Sequence, residues 1–200
     1  MEHNIFTYPE FKLNYWAIPK CANTAVKLCL ADPKGIPCIK QENKKHKWVH
    51  NPNRYGRSIS LEDAMKNNYK NFTVTRHPYD RFISMYKDFG FRRPWTIFNK
   101  KQVSLDYFVK TVCVKWSNDL HTKNHHAFSQ CFFIADNDYN LFVSEIVDIN
   151  CLRGFFKKRN INPRIFNKTE VPFSINLTSE QKELIYNRYK VDFDLLGYEK

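Results

Sequence analysis

Two short apolar runs each stop at a proline-containing turn and resume at helical spacing. This pair of junctions constrains the fold more than any other feature of the chain. Residues 11–18, Phe-Lys-Leu-Asn-Tyr-Trp-Ala-Ile, read as a buried strand that Pro19 ends, and residues 23–30 read as the helix that follows. Phe72-Thr73-Val74-Thr75 is a second β-rich run, ended by His77-Pro78. Pro78 sits where a helix would start, a position that tolerates proline because its missing N–H would be unpaired anyway. Phe82, Ile83, Tyr86 and Phe89 then recur at helical spacing.

Further elements follow the same grammar. Residues 33–57 carry Pro33, Gly35, Pro37, Pro52 and Gly56 and read as a long surface excursion. Ser60-Leu61-Glu62-Asp63 has the pattern of a helix cap. A third helix is expected over about 104–116, with Leu105, Phe108, Val109, Val112 and Trp116 as its packed stripe. Cys131–Ile134 and Leu141–Val143 are strand candidates, and Thr178-Ser179-Glu180-Gln181 caps a last helix with Leu184, Ile185 and Tyr189 inward. Strands alternating with helices predict an α/β fold, with a central, mostly parallel sheet flanked by helices. At 200 residues the chain is expected to be one domain. In such sheets ligands bind beyond the carboxyl ends of the strands, which directs attention to 19–25 and 76–84.

The formal net charge of +12 suits an anionic partner: a nucleotide, an acidic or sulfated sugar, nucleic acid or a membrane surface. Charge alone does not choose among them. The densest basic clusters, Lys44-Lys45-His46-Lys47 and Lys157-Lys158-Arg159, read as solvated faces. The six cysteines include no Cys-x-x-Cys pair and no zinc spacing, so no metal is expected. The first nine residues lack a signal-peptide pattern, and no run of about 18 apolar residues marks a membrane span. Reduced cysteines and a cytoplasmic setting follow as expectations.

At the first junction, Pro19-Lys20-Cys21-Ala22-Asn23-Thr24-Ala25 leads from strand to helix. Helix N-termini present unpaired N–H groups to anions, Lys20 adds a full charge, and small side chains allow close approach. Asn23 is suited to the tight turn, and Thr24 adds a hydroxyl. None of the five glycines lies here, which excludes the nucleoside-triphosphate loop. A plain turn with a surface lysine is the structural alternative. At the second junction, Arg76 at a strand end and Ser84 two helical turns on can serve a phosphate. The alternative there is a buried arginine paired with a carboxylate. Asp80 and Arg81 read as a surface pair or helix-start charges, and His77 as a helix cap.

Three stretches carry a resemblance: residues 15–24, residues 72–86, and Asn167-Lys168-Thr169-Glu170 with the ending 189–198. Together they resemble the sulfotransferases that use 3′-phosphoadenosine 5′-phosphosulfate (PAPS). The likeness is closest to the carbohydrate sulfotransferases and their bacterial and viral relatives. It implies a P-loop-like fold in which Lys20 contacts the oxygen bridging phosphate and sulfate. It also implies that the Ala22–Ala25 amides cradle the 5′-phosphate, with Pro19 and Cys21 in the same loop, and that Arg76 and Ser84 bind the 3′-phosphate. The acceptor would be a hydroxyl, expected on a carbohydrate, with no nucleic-acid partner. The 92–103 stretch is a candidate acceptor lining, Trp95 being suited to a sugar ring.

Sulfuryl transfer needs a base for the acceptor's proton. Histidine titrates near neutrality, at about 6.5, and His121, His125 and His126 lie in one segment. The His126…Gln130 spacing resembles a His-x-x-x-Gln element of related sequences and favours His126. Glu145 and Glu170 are reserves, and a polar loop without catalytic duty is the alternative. Two rivals to the whole reading are a basic nucleic-acid-binding module and a sulfotransferase fold retained only for binding.

Overall fold

A computed structural model of the chain describes residues 3–31, 57–99, 101–116, 124–163 and 174–200. The excursion at 33–56, the 44–47 basic cluster, His121 and the 167–170 stretch lie outside the described residues. The chain divides into two compact units. One holds the described residues up to Thr75 together with 132–163, and the other holds Arg76–Cys131 and the residues from 174 on.

The first unit is the sheet. Its strands are β1 (Ile5–Tyr8), β2 (Leu13–Trp16), β3 (Arg57–Ile59), β4 (Lys70–Thr75) and β5 (Glu145–Asp148). They lie in the order β3-β1-β2-β4-β5. β2, β4 and β5 run parallel, with Trp16 opposite Thr73 and Val74 opposite Val147. β1 joins antiparallel to both β2 and β3. With helices α1 (Asn23–Ala31), α2 (Leu61–Lys66) and α6 (Leu152–Lys157), this is the expected helix-flanked α/β sheet. β1, β3 and β5 were not foreseen. Cys131–Phe133 is a 3₁₀ turn rather than a strand, and Leu141 makes only an isolated bridge to Ala135. Runs of three or four apolar residues do not separate strand from tight helix, and here the chain turned.

All four residues of β2 are buried, including Asn14. Its amide donates to Oδ1 of Asn67 and Asn71 at 2.7 and 3.0 Å, and the Trp16 indole N–H donates to Asn71 at 3.1 Å. Buried polar groups must be paired in this way. Tyr15, Phe72, Val74, Val147, Phe155 and Phe156 are among the apolar residues of the core.

The second unit is helical. It contains α3 (Pro78–Tyr86), α4 (Trp95–Phe98), α5 (Leu105–Lys110) and α7 (Ser179–Leu196). α3 continues into a π turn at Lys87–Arg92, and α5 into another at Thr111–Lys115. The predicted stripe is core: Phe108, Val109 and Val112 are fully buried, with Leu105 and Trp116 packed beside them. Thr178 and Gln181 form the reciprocal capping box, and Gly197 at φ 70° ends the helix, where glycine carries no Cβ penalty. Among the described residues no helix is long and apolar enough to cross a membrane.

Lys27 of α1 is 2% exposed, with Nζ 3.6 Å from the centre of the Phe6 ring. Burial lowers its pKa from 10.5 to about 8. Between those values the unfolded chain binds a proton that the native chain lacks, so stability rises with pH across that window. Below it the buried ammonium carries its full penalty. Lys27→Met is therefore expected to be more stable than the parent at pH 7 by up to about 3 kcal/mol, with the gap narrowing toward pH 10. Urea melts of both proteins at the two pH values measure this; a pH-independent gap would refute it.

Candidate active site

The first candidate cluster begins where β2 ends. Ala17, Ile18, Pro19 and Cys21 are buried, and Lys20 is half-buried. The loop has no glycine, yet Lys20 and Ala22 adopt positive φ, 68° and 57°. The strained conformations thus fall on Lys20 and Ala22, while Asn23 is the first residue of α1. The Ala22 carbonyl accepts from Val26 N–H at 3.0 Å and closes the first turn. Among the described residues no backbone carbonyl accepts from the N–H groups of Ala22, Asn23, Thr24 or Ala25. Asn23 Oδ1 is buried without a partner. Four such donors at the positive end of a helix, beside Lys20, have the polarity that suits an anion.

The second cluster begins at Arg76, directly after β4. Its main chain is held on both sides by one side chain. Arg76 N–H donates to Gln130 Oε1 at 2.9 Å, and Gln130 Nε2 donates to the Arg76 carbonyl at 2.8 Å. Gln130 is itself buried and fixed, because its N–H and that of Cys131 donate to the two oxygens of Asp192 at 2.8 and 2.9 Å. The carboxylate alternative for Arg76 finds no support. Among the described residues its guanidinium has no ion pair or hydrogen bond, and Nε is buried without an acceptor. Ser84, half-buried on α3, likewise has no partner among the described residues for its hydroxyl.

His77 caps α3, accepting at Nδ1 from Tyr79 N–H at 3.3 Å. Nε2 must then carry the proton, and it donates to the Glu199 carbonyl at 3.0 Å. Arg81 is not the surface residue its neighbour Asp80 suggested. It is 3% exposed and donates to the carbonyls of Phe128 and His126 at 2.8 and 3.2 Å. The i,i+3 helical geometry turns Arg81 inward together with Pro78 and Phe82, a placement that local charge pairing does not reveal.

His126 is half-buried. Its ring packs on Phe89, centroids 4.9 Å apart, and on His125 at 4.4 Å. Its N–H donates to Asn124 Oδ1 at 3.2 Å. His125 is more open, and desolvation of its ring lowers its pKa below the usual imidazole value. Glu145 is engaged elsewhere, at the amino end of β5, with Lys70 at 3.0 Å and Arg159 at 2.9 Å. Among the described residues no cluster of three His, Cys, Asp or Glu side chains is arranged for a metal. Pro19–Ala25 belong to the first unit, and Arg76, Ser84 and His126 to the second. Sequence reasoning missed Gln130 as the clamp on Arg76, gave Asp192 no role, and placed the buried Arg81 at the surface. The His126…Gln130 spacing was the one signal that touched this group.

Residues 3–131 match the Sulfotransferase family, well over half of the 200 residues. Comparison with curated proteins and with solved structures returns no match.

Asp192→Ala would strand the buried Arg81 charge and the N–H groups of Gln130 and Cys131. A loss of about 3–5 kcal/mol is expected in chemical denaturation, because removing one partner of a buried ionic group leaves the other uncompensated. A loss under about 1 kcal/mol would show that the carboxylate does not organise this segment.

Proposed function

Because the chain belongs to the sulfotransferase family, we propose that it transfers a sulfuryl group from PAPS to a hydroxyl, with a carbohydrate as acceptor. The observation that carries the donor assignment is the Arg76 guanidinium, whose buried Nε lacks an acceptor among the described residues while Gln130 holds its backbone still. A buried unpaired donor is costly and marks a group awaiting an anion. Arg76 with Ser84 binds the 3′-phosphate in this scheme. The N–H groups of Ala22–Ala25, with Pro19 and Cys21 shaping the loop, bind the 5′-phosphate.

PAPS supplies the activated sulfuryl group. The acceptor oxygen forms the new S–O bond as the S–O bond to the 5′-phosphate breaks, and the bridging oxygen leaves with the electron pair. Lys20 stabilises the charge that grows on that oxygen, an interaction stronger in the transition state than before it. His126 takes the acceptor's proton. Its backbone is braced by Arg81 and Asn124 and its ring by Phe89, so the ring is held in place before the acceptor arrives.

Four measurements test this. The product nucleotide, 3′-phosphoadenosine 5′-phosphate, should raise the thermal midpoint at saturation, and no shift would overturn the donor assignment. Arg76→Ala should weaken that nucleotide by about 2–4 kcal/mol, whereas Lys20→Ala should lower kcat by about 100-fold or more with smaller effects on binding. His126→Ala should abolish turnover while nucleotide affinity stays within about twofold; near-normal turnover would remove the base assignment.

A further inference from the structure

The π turn at Lys87–Arg92 has a definite effect on its side chains. Arg93 N–H donates to the Asp88 carbonyl five residues back, at 2.8 Å. Such turns are rare and recur at functional sites. This one lets the residues four and five positions after Asp88 reach the same carboxylate. Arg92 donates to Oδ1 from Nε at 3.1 Å and from Nη2 at 2.5 Å. Arg93 donates from Nε to Oδ1 at 2.9 Å and from Nη2 to Oδ2 at 2.7 Å. The Asp88 side chain is 5% exposed, against 53% and 45% for the arginines. Gly90 is required inside the turn, since a Cβ there would meet the Tyr86 ring at 2.3 Å.

One guanidinium would balance one carboxylate; the second is surplus charge among the described residues. Nη1 of both arginines makes no hydrogen bond among the described residues. Trp95 follows Arg93 by two residues, a Cα separation of at most about 7 Å, and is 67% exposed. An indole this open forgoes the free energy that burial would supply. A surplus of fixed cationic donors and an open aromatic face therefore occur at one corner.

We propose that the outward edges of Arg92 and Arg93, together with the Trp95 ring, form a subsite for a pyranose bearing an anionic group. The indole covers the apolar C–H face of the ring, and the guanidinium edges bind the anionic oxygens in fork geometry. Asp88 orders both arginines before the ligand arrives, which lowers the entropy lost on binding. Only the ligand's status as the acceptor rests on the sulfuryl-transfer reading. A uronate carboxylate and an existing sulfate ester offer the same oxygens.

The full chain, with and without 3′-phosphoadenosine 5′-phosphate, is titrated by calorimetry with three short oligosaccharides. One is neutral, one alternates uronate with N-acetylhexosamine, and one is neutral in its backbone but sulfated. An anionic sugar should bind at least about tenfold more tightly than the neutral one, and whichever anionic sugar binds better identifies the source of the charge. Trp95→Ala and Arg93→Gln should each weaken that binding by about tenfold, with nucleotide affinity unchanged in both and the thermal midpoint unchanged in Trp95→Ala. Trp95 is exposed, so its variant isolates the sugar contact; Arg93→Gln keeps Asp88 paired with Arg92 through Oδ1 but loses the donor to Oδ2, so its midpoint is expected to fall slightly while nucleotide binding persists. Equal affinity for neutral and anionic sugars, no sugar binding at all, or binding that survives both substitutions overturns the subsite. Loss of nucleotide binding in the parent protein instead counts against the donor reading, while the nucleotide-free titrations still report on the corner.

Discussion

The arrangement of the second unit depends on the carboxylate of Asp192, which has no access to solvent. A charge in that position is tolerable only when donors surround it. Two backbone N–H groups and the nearby Arg81 charge meet that need. Burial still dominates and pushes the carboxyl above its ordinary pKa, against those stabilising partners. Arg81 in turn satisfies the carbonyls of His126 and Phe128, and the Tyr189 hydroxyl donates to the Ala127 carbonyl at 3.0 Å. The backbone of 126–131 is thereby held from several sides, and Gln130 is left aimed at Arg76. Two residues given separate roles, Arg76 and His126, are tied to one buried frame.

The loop after β2 is also held in one conformation, without glycine. Lys20 and Ala22 occupy the left-handed region, which costs a side-chain-bearing residue about 1–2 kcal/mol. Such strain persists where the surroundings determine the conformation. Buried Ile18, Pro19 and Cys21 on one side and α1 on the other provide that here. Beyond it, the first N–H groups of α1 have no carbonyl partners among the described residues, as at other helix starts.

Charge is used differently at the Asp88 corner. There a carboxylate is buried to order two arginines whose outer edges stay in water, so the cations are fixed without being consumed. Lys27 is the opposite case: an ammonium placed in the core over an aromatic ring, offset only in part by that contact. The +12 total therefore hides cations in unlike environments, and composition cannot sort them.

Local signals were legible in the chain. The strand-turn-helix junctions, the caps at Ser60, His77 and Thr178 and the packed stripe of α5 all depend on neighbours within a few residues. The family resemblance rested on those same segments. β1, β3, β5 and the turn at Cys131–Phe133 were not legible, because short segments acquire their conformation from the strands they meet. The inward turn of Arg81, the clamp of Gln130 on Arg76 and the π turn that gathers two arginines on Asp88 were hidden for a related reason. The sequence by itself determined the α/β class and the residue types at the two junctions. Only the tertiary structure decided which polar groups are paired and which are left open, because the partners are remote: Gln130 meets Asp192 across 62 residues and Arg76 across 54.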